Sequence, residues 1–255
     1  MIKLCLKDNK KDNKGGNMKN IRTLLIIPAY NEEECILDVY NNILDYNKKN
    51  KTNYDVIVIN DGSKDNTEQI LVDNNIPHIK LIQNLGIGGA VQTGYKYAYS
   101  NNYDIAIQYD GDGQHDVACV KNLIEPIVDD DYDMVIGSRF IKKDEKNFQS
   151  TFARRVGIGI ISFLIRIFAS YKVYDPTSGF RASNKKLIEF FANTYPTEYP
   201  EPVSEVAILE EGFKVKEVPV KMHERQGGKS SIHAWKNAYY MINVSIAMFI
   251  ESIKR

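Results

Sequence analysis

The chain has 255 residues, 43% hydrophobic and 26% charged, enough to bury a substantial core as one large domain or as a domain with appendages. Its 33 basic and 33 acidic residues give a formal net charge of +0, which removes any general electrostatic case for nucleic-acid binding. Cys5, Cys35 and Cys119 are widely spaced with no C-x-x-C pair, which argues against a disulfide framework or a zinc site and fits a reduced, cytoplasmic compartment.

Residues 1–20 are rich in Lys, Asn, Asp and Gly and lack the apolar core of a signal peptide, so they read as a disordered extension, with Met18 as an alternative start. From Ile21 to Gly137 short apolar runs alternate with helical periodicity. The runs at 23–27, 55–60, 79–83, 105–109 and 134–137 predict strands, and 33–46, 67–74, 88–100 and 117–128 predict helices. Runs nearly continuous in Ile, Val and Leu imply burial on both faces, and the βαβα rhythm implies a mostly parallel central sheet with flanking helices, an α/β fold. Ligands of such sheets bind beyond the carboxyl ends of the strands. The polar clusters of this half all fall there: Tyr30-Asn31-Glu32, Asp61-Gly62-Ser63, 84–89 and 110–115.

The fourth cluster, Asp110-Gly-Asp112-Gly-Gln114-His115, is the most informative. Successive strand side chains alternate faces, so Gly111 and Gly113 are needed to break the strand if both carboxylates are to converge. Hard oxygen ligands there suit Mg²⁺ or Mn²⁺, whose remaining ligands are commonly phosphate oxygens. A plain Asp/Gly turn is the competing reading. In Pro28-Ala29-Tyr30-Asn31-Glu32, Tyr30 is placed to stack on a base while Asn31 or Glu32 bonds its edge or the ribose; helix capping by Asn31 explains the same residues. Asp61 suits a nucleobase imide or ribose hydroxyl, and equally a turn capping the helix that begins near Asn66. The glycines of 84–89 lack the G-x-G-x-x-G spacing, which excludes a dehydrogenase fingerprint; they suit close backbone approach to a sugar nucleotide. Arg139 and the segment 223–231, with Arg225 and Lys229, are cationic counterparts for phosphate, the latter otherwise a solvated basic loop.

The second half changes character. Residues 142–150 form a polar loop, and 156–169 a nearly wholly apolar helix with Arg155, Gly159, Ser162 and Arg166 on one stripe. It is too short to span about 30 Å of hydrocarbon, and reads as an interface helix or a core helix. In the interfacial reading Ile158, Ile161, Phe163, Leu164, Ile165 and Phe168 face the acyl boundary. A helix around 203–211 and a strand at 214–220 follow. A second apolar segment, 235–253, carries Trp235, Tyr239 and Tyr240 at one end; Asn237, Asn243 and Ser245 make it a poor spanning helix. The domains expected are the extension 1–20, a catalytic domain 21–231 with an amphipathic insertion near 152–170, and a C-terminal amphipathic helix 232–255.

Taken together and in order, Pro28–Glu32, Asp61–Ser63, Asn84-Leu-Gly86, Asp110–His115, Gly137-Ser-Arg139, Asp175-Pro-Thr-Ser-Gly-Phe-Arg181 and Arg225–Ser231 resemble the family-2 glycosyltransferases, in the dolichyl-phosphate mannosyltransferase-like branch. The resemblance implies a GT-A fold and an inverting, Mg²⁺- or Mn²⁺-dependent transfer from a UDP- or GDP-hexose to a polyprenyl phosphate, serving cell-envelope glycan synthesis. By the same resemblance Pro28, Ala29, Tyr30, Glu32, Asp61 and Gly86 hold the nucleotide-sugar, Asp110 lies beside its diphosphate or sugar, Asp112 and Gln114 ligate the metal, and Arg139, Arg225 and Lys229 grip phosphate. The catalytic set is then Asp110, Asp112 and Arg139. Two departures stand out: Asn60 where the family often has an acid, and Val203 where a further Glu tends to follow Tyr199-Pro-Glu201-Pro202, with Glu205 two residues on. A chain ending without the branch's frequent transmembrane helices implies peripheral attachment to the cytoplasmic membrane face, with a small separate membrane protein as a candidate partner. The alternatives are transfer to a growing glycan and a non-catalytic sugar-nucleotide-binding subunit.

Overall fold

The computed structural model describes residues 21–141, 152–223 and 234–254. The expected extension 1–20 and the phosphate-gripping Arg225 and Lys229 lie outside them. Seven strands make one sheet: β1 (Thr23–Ala29), β2 (Tyr54–Asn60), β3 (His78–Lys80), β4 (Ile105–Gln108), β5 (Met134–Ser138), β6 (Arg181–Asn184) and β7 (Val215–Pro219). Their order is β3-β2-β1-β4-β6-β5-β7, parallel except for β6, which runs antiparallel to both β4 and β5. The helices are α1 (Ile36–Asn50), α2 (Thr67–Asp73), α3 (Gly86–Ser100), α4 (Val120–Asp130), α5 (Phe152–Ala169), α6 (Lys185–Asn193), α7 (Pro200–Glu210) and α8 (Ala234–Ser252).

Every residue of β1 is buried, and its side chains divide between two cores by the period-2 alternation of a strand. Leu24 and Ile26 pack with Ile57 and Ile59 against α3, α6 and the α5–α8 side. Leu25 and Ile27 pack with Val56 and Val58 against α1 and α4. Burying Leu or Ile fully contributes roughly 1.5–3 kcal/mol per side chain, so this sandwiched strand anchors the sheet. The last β1–β4 pair is Ile26–Gln108, whereas β1 continues beside β2 to the pair Ala29–Asn60. Pro28, which has no N–H to donate, thus falls where β4 has already left the ladder to carry Asp110. Strand order reverses direction across β1, with β2 on one side and β4 on the other, and such a switch point is where open α/β sheets form their ligand crevice.

The parallel strands and α1–α4 match the sequence expectations with shifts at their ends; α4 is preceded by a short 3₁₀ turn at Val117–Cys119. Strand β6 and helix α6 were not anticipated. The larger correction concerns α5. Ile158, Ile161 and Ile165 are buried in the core, and Leu164 and Phe168 are half-buried. The outward face carries instead Val156, Ile160, Phe163 and Ile167, at i, i+4, i+7 and i+11, with Arg155 and Arg166 exposed beside them. A helix apolar on two sides gives no periodicity to tell core from surface. Its polar stripe is also partly inward, since the Ser162 hydroxyl donates to the Val173 carbonyl. Helix α8 packs on α5, with the Phe168 and Phe249 rings 6.0 Å apart, and presents Ile242, Ile246, Phe249, Ile250 and Ile253 outward. Among the described residues, no helix is long and apolar enough to cross a membrane.

Candidate active site

The loops after β1 and β2 are laced together by reciprocal hydrogen bonds. Asn31 N–H donates to Ser63 Oγ (3.0 Å), Lys64 N–H to Asn31 Oδ1 (2.8 Å), Glu32 N–H to Thr67 Oγ1 (2.9 Å) and Glu33 N–H to Asp65 Oδ2 (3.1 Å). Asn31 adopts φ 57°, a left-handed conformation that Asn tolerates better than most residues, so its side chain braces this loop pair and does not cap α1. Tyr30 stands exposed, and Ala29 is buried in the core shared with α1 and α4.

Asp61 is 3% exposed and reaches across to α3, not to α2. Its Oδ1 accepts from Leu85 N–H at 2.7 Å, and Gly86 N–H adds a second backbone contact. Burial pushes its carboxyl above the ordinary range, and those two N–H groups partly offset the rise. Gly86 opens α3 with open space above its Cα, so a ligand can approach the backbone there.

Beyond β4, Asp112 Oδ1 accepts from Gln114 N–H (3.0 Å), closing an Asx turn through Gly113 at φ 75°. His115 is buried, with its ring stacked on Phe180 (centroids 4.5 Å apart) and Nε2 3.0 Å from Asp110 Oδ2. The turn is pinned from the far side by a bridge between His115 and Met222 and by His223 N–H donating to the Gln114 carbonyl (2.8 Å). Burial alone would raise the Asp110 carboxyl; His115, the Gln108 amide and the charge of Arg139 outweigh it and hold it below the ordinary carboxylate range.

Arg139 follows β5, and its guanidinium forks onto Asp175: Nε to Oδ2 and Nη2 to Oδ1, each 2.7 Å. Asp175 is fully buried, and its own N–H, like that of Tyr174, donates to the Glu217 carboxylate on β7. This bidentate geometry holds the guanidinium in one orientation, with its side chain only 7% exposed.

Two further groups, not assigned from the sequence, complete the floor. Arg181 is 1% exposed and donates to the carbonyls of Ser178, Pro176 and Glu201, to Ser204 Oγ and to Glu205 Oε1 (2.6 Å). It clamps the 175–180 loop to the start of α7. Of the two acids flagged near Val203, Glu205 is thereby taken up by Arg181, while the Glu201 carboxyl is coupled to Gln108 and Asp110. The Gln108 amide stabilises the charged form of both Asp110 and Glu201, and the charge of Asp110 also reaches Glu201. Burial, with a smaller contribution from Asp110, raises the Glu201 carboxyl above its ordinary range. The Tyr-Pro-Glu-Pro opening of a helix is the one sequence signal that marks this position.

The Asp112 carboxylate and the Gln114 amide oxygen are hard donors two residues apart in one turn, a donor chemistry that suits Mg²⁺ or Mn²⁺. Among the described residues no three His, Cys, Asp or Glu side chains converge into an all-protein cage. The carboxyl ends of β1, β2 and β4 fall on one edge of the parallel sheet, where Asp61 is tied to the start of α3 and the charge of Arg139 reaches Asp110; Arg225 and Lys229 lie outside the described residues.

Residues 24–191 match the family model of glycosyl transferase family 2. The chain is 36% identical over 217 residues to the UDP-N-acetylglucosamine–dolichyl-phosphate N-acetylglucosaminyltransferase of Methanococcus voltae, covering 77% of this chain and 84% of that relative. It is 26% identical over 222 residues to the polyprenol monophosphomannose synthase of Mycolicibacterium smegmatis, covering 83% and 81%. Among solved structures, mannosyl-3-phosphoglycerate synthase from Rubrobacter xylanophilus superposes with a TM-score of 0.69 at 13% identity, over 90% of this chain and 73% of that one. Glucosyl-3-phosphoglycerate synthase from Mycobacterium tuberculosis, in complex with Mn²⁺, UDP-glucose and phosphoglyceric acid, gives 0.64 at 16% identity, over 91% and 80%. The chain belongs to glycosyltransferase family 2, and its fold is GT-A.

Proposed function

We propose that the protein transfers a hexose from a UDP- or GDP-sugar to a polyprenyl phosphate at the cytoplasmic face of a membrane, with inversion at the anomeric carbon, in the service of cell-envelope glycan synthesis. The observation that supports the reading is the set of groups at the strand ends around the switch point: the laced loops after β1 and β2, the Asp110–Gln114 turn beyond β4 and the Arg139–Asp175 fork after β5. The relatives named as dolichyl-phosphate and polyprenol-phosphate enzymes support the acceptor class.

In this reading Pro28, Ala29, Tyr30, Glu32 and Asp61 hold the nucleoside, and the Gly86 backbone lies along the donor. Asp112 and Gln114 would hold Mg²⁺ or Mn²⁺, which when bound neutralises charge on the donor diphosphate. Asp110 orients the sugar, its carboxylate kept ionised by His115, Gln108 and Arg139. Arg139, with Arg225 and Lys229, stabilises phosphate charge as the nucleoside diphosphate leaves. An acceptor phosphate is largely ionised near neutral pH, so Glu201 is needed only to take the proton of its monoanionic fraction. The outward stripes of α5 and α8, rimmed by Arg155 and Arg166, rest in the headgroup region, where the acceptor phosphate is presented. A small membrane protein would extend that anchor.

The experiment is an acceptor comparison. With UDP- and GDP-hexoses screened in parallel, the reading expects product on a short polyprenyl phosphate and none on an oligosaccharide. Transfer to the oligosaccharide alone would replace it with glycan elongation, and donor binding without any transfer with a non-catalytic subunit.

A further inference from the structure

Asn60 ends β2 immediately before Asp61 and is fully buried. Both ends of its side-chain amide are used. Oδ1 accepts from Ser63 N–H at 3.0 Å, and Nδ2 donates to Glu68 Oε2 at 2.6 Å. Ser63 in turn receives Asn31 N–H, so Asn60 sits at the root of the lacing between the β1 and β2 loops. Glu68 lies on the first turn of α2, a quarter exposed, with Lys80 Nζ 3.3 Å and His78 Nε2 3.7 Å from its Oε1. Burial would raise the Glu68 carboxyl; Asn60, Lys80 and His78 outweigh it, so the group is held ionised. A chain of contacts therefore runs Lys80–Glu68–Asn60–Ser63, from β3 and α2 into the loop that carries Asp61.

We propose that Glu68 is a positioning residue for donor binding: anchored by Lys80, it fixes the Asn60 amide, and Asn60 fixes the Asp61–Ser63 loop in its nucleotide-binding shape. This explains why an amide stands at position 60. A carboxylate there would oppose Glu68 at 2.6 Å with no proton between them. Glu68 touches no donor atom in this account, and its effect passes through a side chain with no surface of its own.

The proposal rests on the reading of Asp61 as a nucleoside contact, and the test separates the two. Dissociation constants for UDP and GDP with Mg²⁺ are measured by calorimetry, using whichever nucleotide the wild type binds, with thermal unfolding of each variant alongside. Glu68→Ala leaves the buried Asn60 Nδ2 without its acceptor and is expected to weaken nucleotide binding about tenfold. Glu68→Gln, whose Oε1 still accepts from Asn60, should stay within about threefold of wild type. Asn60→Asp should weaken binding at least as much as Glu68→Ala. The double variant Asn60→Asp/Glu68→Gln restores a donor–acceptor pair with its polarity reversed and should recover most of that loss. A structural role confined to packing would not produce this exchange. Failure of the double variant to bind better than Asn60→Asp, with both folded, overturns the proposal, as does wild-type affinity in Glu68→Ala. Asp61→Asn reports on the underlying reading: lost affinity there upholds it and leaves the proposal to the Glu68 and Asn60 variants, whereas unchanged affinity overturns both.

Discussion

Gly179 lies against the Asp110 carboxylate so closely that a Cβ built on it would sit 2.9 Å from Oδ1 and 3.0 Å from Oδ2. It would also meet Gln108 Nε2 at 2.9 Å. The 175–180 loop, clamped from below by Arg181, can press onto the crevice floor only because this residue has no side chain. Gly179→Ala should therefore displace Asp110 without unfolding the protein. A misplacement near 1 Å can cost on the order of a hundredfold in rate, so kcat should fall by tens- to a hundredfold while nucleotide affinity changes little. Steady-state kinetics with a nucleotide titration checks this; an unaltered kcat would show that Asp110 does not work from its observed position.

Metal dependence should reside in the Asp112–Gln114 turn. Asp112→Ala removes a carboxylate that contributes little to either core, so the fold should survive while transfer falls at least about a hundredfold. Chelator should abolish wild-type transfer, and Mg²⁺ or Mn²⁺ should restore it. Full turnover in excess chelator would refute the assignment.

Glu201 predicts a trade of stability for activity. Its carboxyl is raised in the folded state, chiefly by burial, so the native protein holds that proton to higher pH than the unfolded chain does. Stability is consequently lost as pH rises through the folded-state value, and is unaffected below the unfolded one. Glu201→Gln should unfold at a higher temperature than wild type at pH 8, with the gap closing toward pH 4. Its transfer activity should be lower, with the gap narrowing toward acid pH as the wild-type carboxyl itself becomes protonated. A stability gap independent of pH would remove the electrostatic explanation.

The outward face of α5 separates surface from core. Ile160→Glu with Phe163→Glu charges two exposed positions and should release the protein from anionic liposomes while leaving its melting temperature within a few degrees. Ile161→Glu, one residue away, places a charge in the core at 2% exposure and should destabilise the fold severely. Sedimentation with liposomes and thermal unfolding distinguish the two; liposome binding unchanged in the double variant would move the attachment surface away from α5.

The parallel half of the sheet was legible because residues 23–27 and 55–60 are apolar runs too short for helices, bounded by turn residues. Strand β6 escaped because Arg181-Ala-Ser-Asn184 has almost no β-prone composition. Its place is set by a buried arginine with partners 20 and 24 residues downstream, which no local pattern encodes. The candidate site residues were assigned because glycine and acid cluster at strand ends, a pattern that does not reveal their partners. Asp61 caps a helix 24 residues away, and Arg139 is tied to Asp175 36 residues on. Glu201 and Glu205 looked equivalent in sequence, and only the position of Arg181 tells them apart.

The central claim, glycosyl transfer to a lipid phosphate, is tested most directly by identifying the nucleotide released. Incubated with its nucleotide-sugar, Mg²⁺ and a polyprenyl phosphate, the protein should release nucleoside diphosphate in equimolar amount with a lipid-linked sugar bearing a single phosphate, and only when the acceptor is present. Release of nucleoside monophosphate with a lipid diphosphate sugar, or nucleotide release indifferent to the acceptor, would contradict it.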